Sequence, residues 1–241
     1  MEAMHPQHPP AAWSLVVPLK PLARAKSRLA GGGAHSAGTA RAALALAFAQ
    51  DTVHAALAST AVRSVAVVTD DARAAAELRA LGADIVPDAP GDGLNAALAY
   101  GAAAVRTRLP DVPVAALNAD LPALRSAELT HVLNTAAAFP RAFLADAAGI
   151  GTTLLSALPG SELRPAFGIR SRERHLASGA AEITLSGVQS VRTDVDTESD
   201  LAAALALGVG PFTARRGAST APRSAAFRGS ASAAPRPRGR P

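Results

Sequence analysis

Short apolar runs alternate with amphipathic stretches along most of this chain. Residues 13–19 (WSLVVPL), 64–69 (SVAVVT) and 112–117 (VPVAAL) are apolar without a polar alternation, as expected of strands covered on both faces. Shorter runs at 83–86 and 141–146 predict two more strands, and residues 184–193 predict one or two others. Between them, residues 38–59 place Leu46, Val53 and Leu57 on one helical stripe. Further helices are predicted over 71–81, closed by Gly82, over 94–106, opened by Gly-Asp-Gly, over 126–138, and over 199–207 before Gly208. Asp70 and Asp71 read as the cap of the second helix. Strands and helices in this alternation predict a single α/β domain, Rossmann-like, with a mostly parallel central sheet flanked by helices. Residues 1–12 and 212–241 show no periodicity and are expected to be disordered tails around a 13–211 domain.

Composition sharpens this picture. A chain of 241 residues with 49% apolar and 18% charged side chains can bury a full core. The absence of cysteine excludes disulfide scaffolds, thiolate metal sites, iron–sulfur clusters and cysteine nucleophiles. Alanine occurs 61 times, and arginine outnumbers lysine 22 to 2, a bias that fits GC-rich coding. The formal charge of +5 includes seven arginines beyond residue 212, so the rest of the chain carries −2. No run approaches the roughly 18 apolar residues of a membrane span, and a cytoplasmic protein is expected. With 3% aromatic residues, a base-stacking surface is poorly supported, so no specific nucleic-acid partner is expected; the arginine tail allows only salt-dependent contact.

Several residues could carry chemistry. Lys20 and Lys26, the only lysines, lie with Arg24 and Arg28 in LKPLARAKSRLA, just past the first strand. Ligands of open α/β sheets bind at the carboxyl ends of strands, so this segment suits a polyanion such as a triphosphate, although it could also be a solvated loop. It lacks the G-x-x-x-x-G-K-[ST] pattern of a P-loop. Asp120, in NADLPAL, follows the 112–117 strand, where a carboxylate can hold Mg²⁺ or simply form a turn. Asp194 and Asp196 alternate in an extended segment, about 6.6 Å apart at Cα, and could grip a hard cation together. Thr197-x-x-Asp200 behind them resembles a capping box. Gly93 would let a base or phosphate approach the backbone, and Asn95 could read a purine edge; Asp92 as a helix cap is the plainer alternative. The turns around Gly149–Thr153 and Phe167–Ser171 offer amides and hydroxyls suited to a phosphate, while His175 reads as structural and Ser171 as either ligand contact or cap.

Seven motifs in order, LKPLARAKSRLA, VVTDD, GLNAAL, NADLPAL, GTTLL, FGIRSRERHLASGA and DVDTESDL, give residues 13–210 a resemblance to the CofC/FbiD family. Its members are phosphoenolpyruvate or 2-phospho-L-lactate guanylyltransferases of coenzyme F-420 biosynthesis. The resemblance implies a nucleotidyltransferase domain of GT-A type, with GTP as co-substrate, a small phosphoacid as acceptor and Mg²⁺ as cofactor. It implies Asp120, Asp194 and Asp196 as metal ligands and Thr153, Gly168 and Ser171 as phosphoacid contacts. Lys20, Arg24, Lys26, Gly93 and Asn95 fall on the nucleotide side, with Lys20 and Lys26 as the catalytic cations. Ile150 departs from the small or hydroxylated residue usual in the family. Which of the two phosphoacids is used stays open here; bacterial-style composition favours phosphoenolpyruvate. The competing readings are a glycosyltransferase using Asp194-Val195-Asp196 as a D-x-D motif, another nucleotidyltransferase such as one acting on molybdopterin, and a nucleic-acid binder using the tail.

Overall fold

The computed structural model describes residues 12–22 and 34–220. In chain order the elements are β1 (Trp13–Pro18), α1 (Ala34–Leu57), β2 (Val62–Val68), α2 (Ala72–Ala80), β3 (Asp84–Val86), α3 (Gly93–Arg108) and β4 (Val114–Leu117). They continue with α4 (Ser126–Ala136), β5 (Arg141–Ala145), β6 (Thr152–Ala157), α5 (Ser171–Ala177), β7 (Ala181–Glu182), α6 (Gln189–Arg192), α7 (Glu198–Leu207) and α8 (Pro211–Thr220). The strands form one seven-stranded sheet in the order β3-β2-β1-β4-β6-β5-β7. β6 runs antiparallel to both its neighbours, and every other pairing is parallel.

The sheet is covered on both faces, which is why its central strands lack alternation. Leu15 and Val17 of β1 point into a core shared with Leu46 and Val53 of α1, Leu78 of α2 and Leu129 and Leu133 of α4. Val16 points the other way, onto Ala97, Leu98, Ala102 and Val105 of α3. Small residues let α3 lie very close to the sheet: a Cβ on Gly101 would come within 2.6 Å of methyl groups of both Val16 and Val68. No helix among the described residues is long and apolar enough to cross a membrane.

Three expectations change. Residues 184–193 hold no strand. Gly187 takes a positive φ of 73°, and Val188 and Val191, three apart, turn one short helical face into the core, so the ladder partner of β5 is instead the brief β7 just upstream. β6 is an additional strand where the sequence suggested only a turn. Its run TTLLSA is short and four of its six residues are small or hydroxylated, and its burial comes from lying between β4 and β5. Finally, the segment read as structureless from residue 212 begins as α8. Asp51, buried on α1, accepts the Phe212 N–H at 2.9 Å and the Thr213 N–H at 2.8 Å, capping the new helix from 161 residues away. Pro211 is the first residue of that helix, a position where its missing N–H costs nothing.

Candidate active site

β1 has β2 on one side and β4 on the other, so the chain leaves the sheet in opposite directions at this point. Such a switch opens a crevice beyond the carboxyl ends of the strands. A cavity of about 640 Å³ lies there, lined by residues 18–20 after β1, 118–120 after β4, the β5–β6 turn, residues 167–171, Leu94, Asp194 and Asp196. One wall is acidic and the other is a backbone turn.

The acidic wall is held by α1 and by strand-like pairing. Thr52 of α1 donates to the Ala119 carbonyl at 3.1 Å and accepts the Leu121 N–H at 3.0 Å, bracketing Asp120. The Val195 N–H donates to the Asp120 carbonyl at 3.0 Å, which lays the 194–196 segment beside it. Val195 is buried with Phe48, Ala123 and Ala204, so its extended neighbours Asp194 and Asp196 both turn to the cavity. The Asn118 amide donates to Asp194 at 3.4 Å. Burial, and then the negative charges of Asp120, Asp196 and Asp146, push the Asp194 carboxyl up to about 7. Among the described residues no three such side chains converge as a preformed metal cage; the four aspartates are a cluster of mutual repulsion. Behind them the capping box is real: Thr197 Oγ1 accepts from Asp200 N–H while the Asp200 carboxylate takes the Thr197 N–H at 2.8 Å.

The opposite wall is built from turns with fixed backbones. Asp146, just past β5, accepts from the Ile150 N–H at 2.9 Å and the Gly151 N–H at 2.8 Å, shaping the hairpin into β6. A side chain on Gly151 would collide with that carboxylate. Residues 166–171 are pinned from three directions: the Ala166 N–H donates to His175 Nε2 at 3.0 Å, Asn95 binds Phe167, and Arg174 donates to the Phe167 carbonyl at 2.9 Å. His175 Nδ1 meets Thr152 Oγ1 at 2.9 Å. Because Nε2 accepts, the ring is neutral with its proton on Nδ1, and burial holds its pKa down to about 4. Gly168 has φ +109° and Arg170 φ +55°, and the N–H groups of Gly168, Ile169 and Arg170 carry no hydrogen bond to another described residue. Consecutive amides in such a turn make a concavity for an anion.

Residues 13–215 match the family described as guanylyl transferase CofC like. The chain belongs to that family. A relative from Streptomyces coelicolor named phosphoenolpyruvate guanylyltransferase is 68% identical over 202 residues, spanning 84% of this chain and 94% of its own. One of the same name from Thermomonospora curvata is 59% identical over 202 residues, covering 84% and 87%. Among solved structures, a nucleotidyl transferase from Methanothermobacter thermautotroptrophicus superimposes with a TM-score of 0.57 at 23% identity, covering 81% of this chain and 97% of that one. A 4-diphosphocytidyl-2C-methyl-D-erythritol synthase does so with a TM-score of 0.53 at 14% identity, covering 82% and 99%. The nucleotidyltransferase fold expected from the sequence is therefore the fold observed.

Within this CofC-like domain the structure brings together Lys20, Asp120, Gly168, Ser171, Asp194 and Asp196 around one cavity. Arg24 and Lys26 lie outside the described residues. Thr153 is placed differently from expectation. Leu144 pairs with Leu154 and Ala145 with Thr152, so Thr153 is the unopposed residue of a β-bulge, fully buried, and Thr152 lines the cavity in its stead. Thr153 Oγ1 finds no hydrogen-bond partner among the described residues. Gly93, which is exposed, and Asn95 are not among the lining residues, where Leu94 stands; Asn95 spends its amide on the Phe167 backbone instead of on a base. Ser171 opens α5 without capping it, since Arg170 occupies the cap position in a left-handed conformation. Sequence reasoning overlooked Thr52, Asn118 and Asp146. Only Asp146 carried a signal, as an aspartate followed by small residues at a strand end, a pattern that turns its carboxylate onto nearby amides.

Proposed function

We propose that this protein transfers the guanylyl group of GTP to the phosphate of phosphoenolpyruvate, releasing diphosphate. The observation that carries this reading is the pairing of an acidic wall with an amide-lined turn across one cavity at the sheet's switch point. The substrate assignment draws on the names of the similar Streptomyces and Thermomonospora proteins. In the reaction an oxygen of the acceptor phosphate forms a bond to the α-phosphorus of GTP, while the bond from that phosphorus to the bridging oxygen of the β-phosphate breaks. The acceptor is already ionised at neutral pH, so no protein nucleophile is needed, and the domain supplies positioning and charge. Lys20, exposed at the end of β1, is suited to the triphosphate. The turn from Gly168 to Ser171 is suited to the phosphoacid.

Asp120, Asp194 and Asp196 would hold Mg²⁺. Hard oxygen ligands fit it, and a buried carboxyl raised by its neighbours is the kind of group a divalent cation relieves. Bound there, the ion would neutralise phosphate charge. GTP as donor fits a cytoplasmic enzyme. Purified protein incubated with GTP, Mg²⁺ and either phosphoenolpyruvate or 2-phospho-L-lactate, with products weighed by mass spectrometry, tests the reading. The expected result is diphosphate and a guanosine diphosphate-linked enolpyruvyl product. Preference for phospholactate would overturn the acceptor, and absence of product with either acid would overturn the reaction.

A further inference from the structure

The side-chain amide of Asn95, in the first turn of α3, grips a residue 72 positions away in both directions. Its Oδ1 accepts the Phe167 N–H at 2.7 Å, and its Nδ2 donates to the Phe167 carbonyl at 3.1 Å. The Phe167 ring is anchored separately, buried in the core with Leu98 and meeting His175 edge-on at 5.2 Å between centroids. What Asn95 adds is therefore the orientation of the peptide planes. The Phe167 carbonyl and the Gly168 N–H belong to one trans peptide and point in opposite directions. Holding the carbonyl toward α3 turns the Gly168 N–H away from it, and Gly168 lines the cavity. A glycine after a peptide bond makes that plane easy to invert, because both signs of φ are open to it. Here Gly168 already sits at φ +109°.

We propose that Asn95 is a positioning residue for the phosphoacid site: it locks the Phe167–Gly168 peptide so that the Gly168 N–H faces the cavity, without itself touching substrate. This rests on the assignment of the 168–171 turn to the phosphoacid. It also places the role of Asn95 on the acceptor side of the reaction rather than with the purine. Arg174 supports the same carbonyl from the solvent side but leaves the Phe167 N–H to Asn95.

Two variants separate this role from simple packing. Asn95→Ala removes both bonds. Asn95→Asp keeps the shape and the acceptor for the Phe167 N–H but sets a carboxylate oxygen against the Phe167 carbonyl, which favours the inverted plane. The expected result is an apparent KM for phosphoenolpyruvate raised about tenfold or more, further in Asn95→Asp than in Asn95→Ala, with the KM for GTP within about twofold of wild type. A mere loss of packing would rank the variants the other way, since alanine leaves the larger void. A second readout needs no turnover: in ¹⁵N-labelled protein the Gly168 amide resonance, assigned by its loss in Gly168→Ala, should move in Asn95→Asp. A Gly168 resonance unchanged in that variant overturns the lock, as does a KM rise confined to GTP. If wild type makes no product from any phosphoacid, the reaction assignment fails while the resonance still decides the lock.

Discussion

Asp194 carries two opposed demands. Its carboxyl is raised to about 7 against an ordinary value near 3.8, so its charge is unwelcome in the folded protein. Stability from the neutral form is complete below pH 4 and is lost as pH rises through 7. Asp194→Asn should therefore raise the melting temperature of metal-free protein at pH 8 while lowering guanylyl transfer on the order of 100-fold or more. Differential scanning calorimetry beside an activity assay reads both, and a variant that is less stable at pH 8 would contradict the electrostatic account. His175 acts with the opposite sign. Its folded pKa of about 4 lies below the ordinary 6.5, so its contribution is present above pH 6.5 and is lost as pH falls toward 4, a swing on the order of 3 kcal/mol. His175→Gln can keep both hydrogen bonds without titrating. Across that window its urea midpoint should change less with pH than that of wild type, and parallel curves would remove His175 as the source.

At the scale of elements, close packing sets the tolerances. Gly101→Ala forces a methyl group against Val16 and Val68 and should cost about 1–3 kcal/mol, measurable as a lower denaturation midpoint with an unchanged m value. Much of this level was readable in the chain. Asp71 caps α2 by accepting the Ala74 N–H, and Thr197 with Asp200 closes the start of α7, because caps are local chemistry written in adjacent residues. The 13–19, 64–69 and 112–117 runs became β1, β2 and β4 because a doubly covered strand must be apolar throughout. β6 escaped notice because its small and hydroxylated residues owe their burial to two neighbouring strands, a fact of tertiary structure. Asp120, Asp194 and Asp196 were visible as types and spacing. Asn95 stood out as a candidate, but its grip on Phe167, 72 residues away, did not, since a hydrogen bond to a distant segment's backbone leaves no mark on local pattern.

Over the whole molecule, α8 is part of the body. Truncation after Gly210 deletes α8 and strands the buried Asp51 carboxylate without its two N–H partners, so the melting temperature should fall by several degrees. Asp51→Ala in the truncated chain should recover part of the loss, and no loss on truncation would show that α8 does not support the fold. The clasp also has a consequence for how the chain comes to be folded. Asp51 must wait for partners 161 and 162 residues further on. At synthesis rates of about 5–20 residues per second, that wait lasts roughly ten to thirty seconds. Through that time α1 carries a hydrated carboxylate at a surface that will later be dry, and the sheet behind it gathers one strand at a time. A segment made more than 160 residues later thus latches the first helix, and released chains ending before Pro211 should be cut by protease near α1 more readily than chains that include α8.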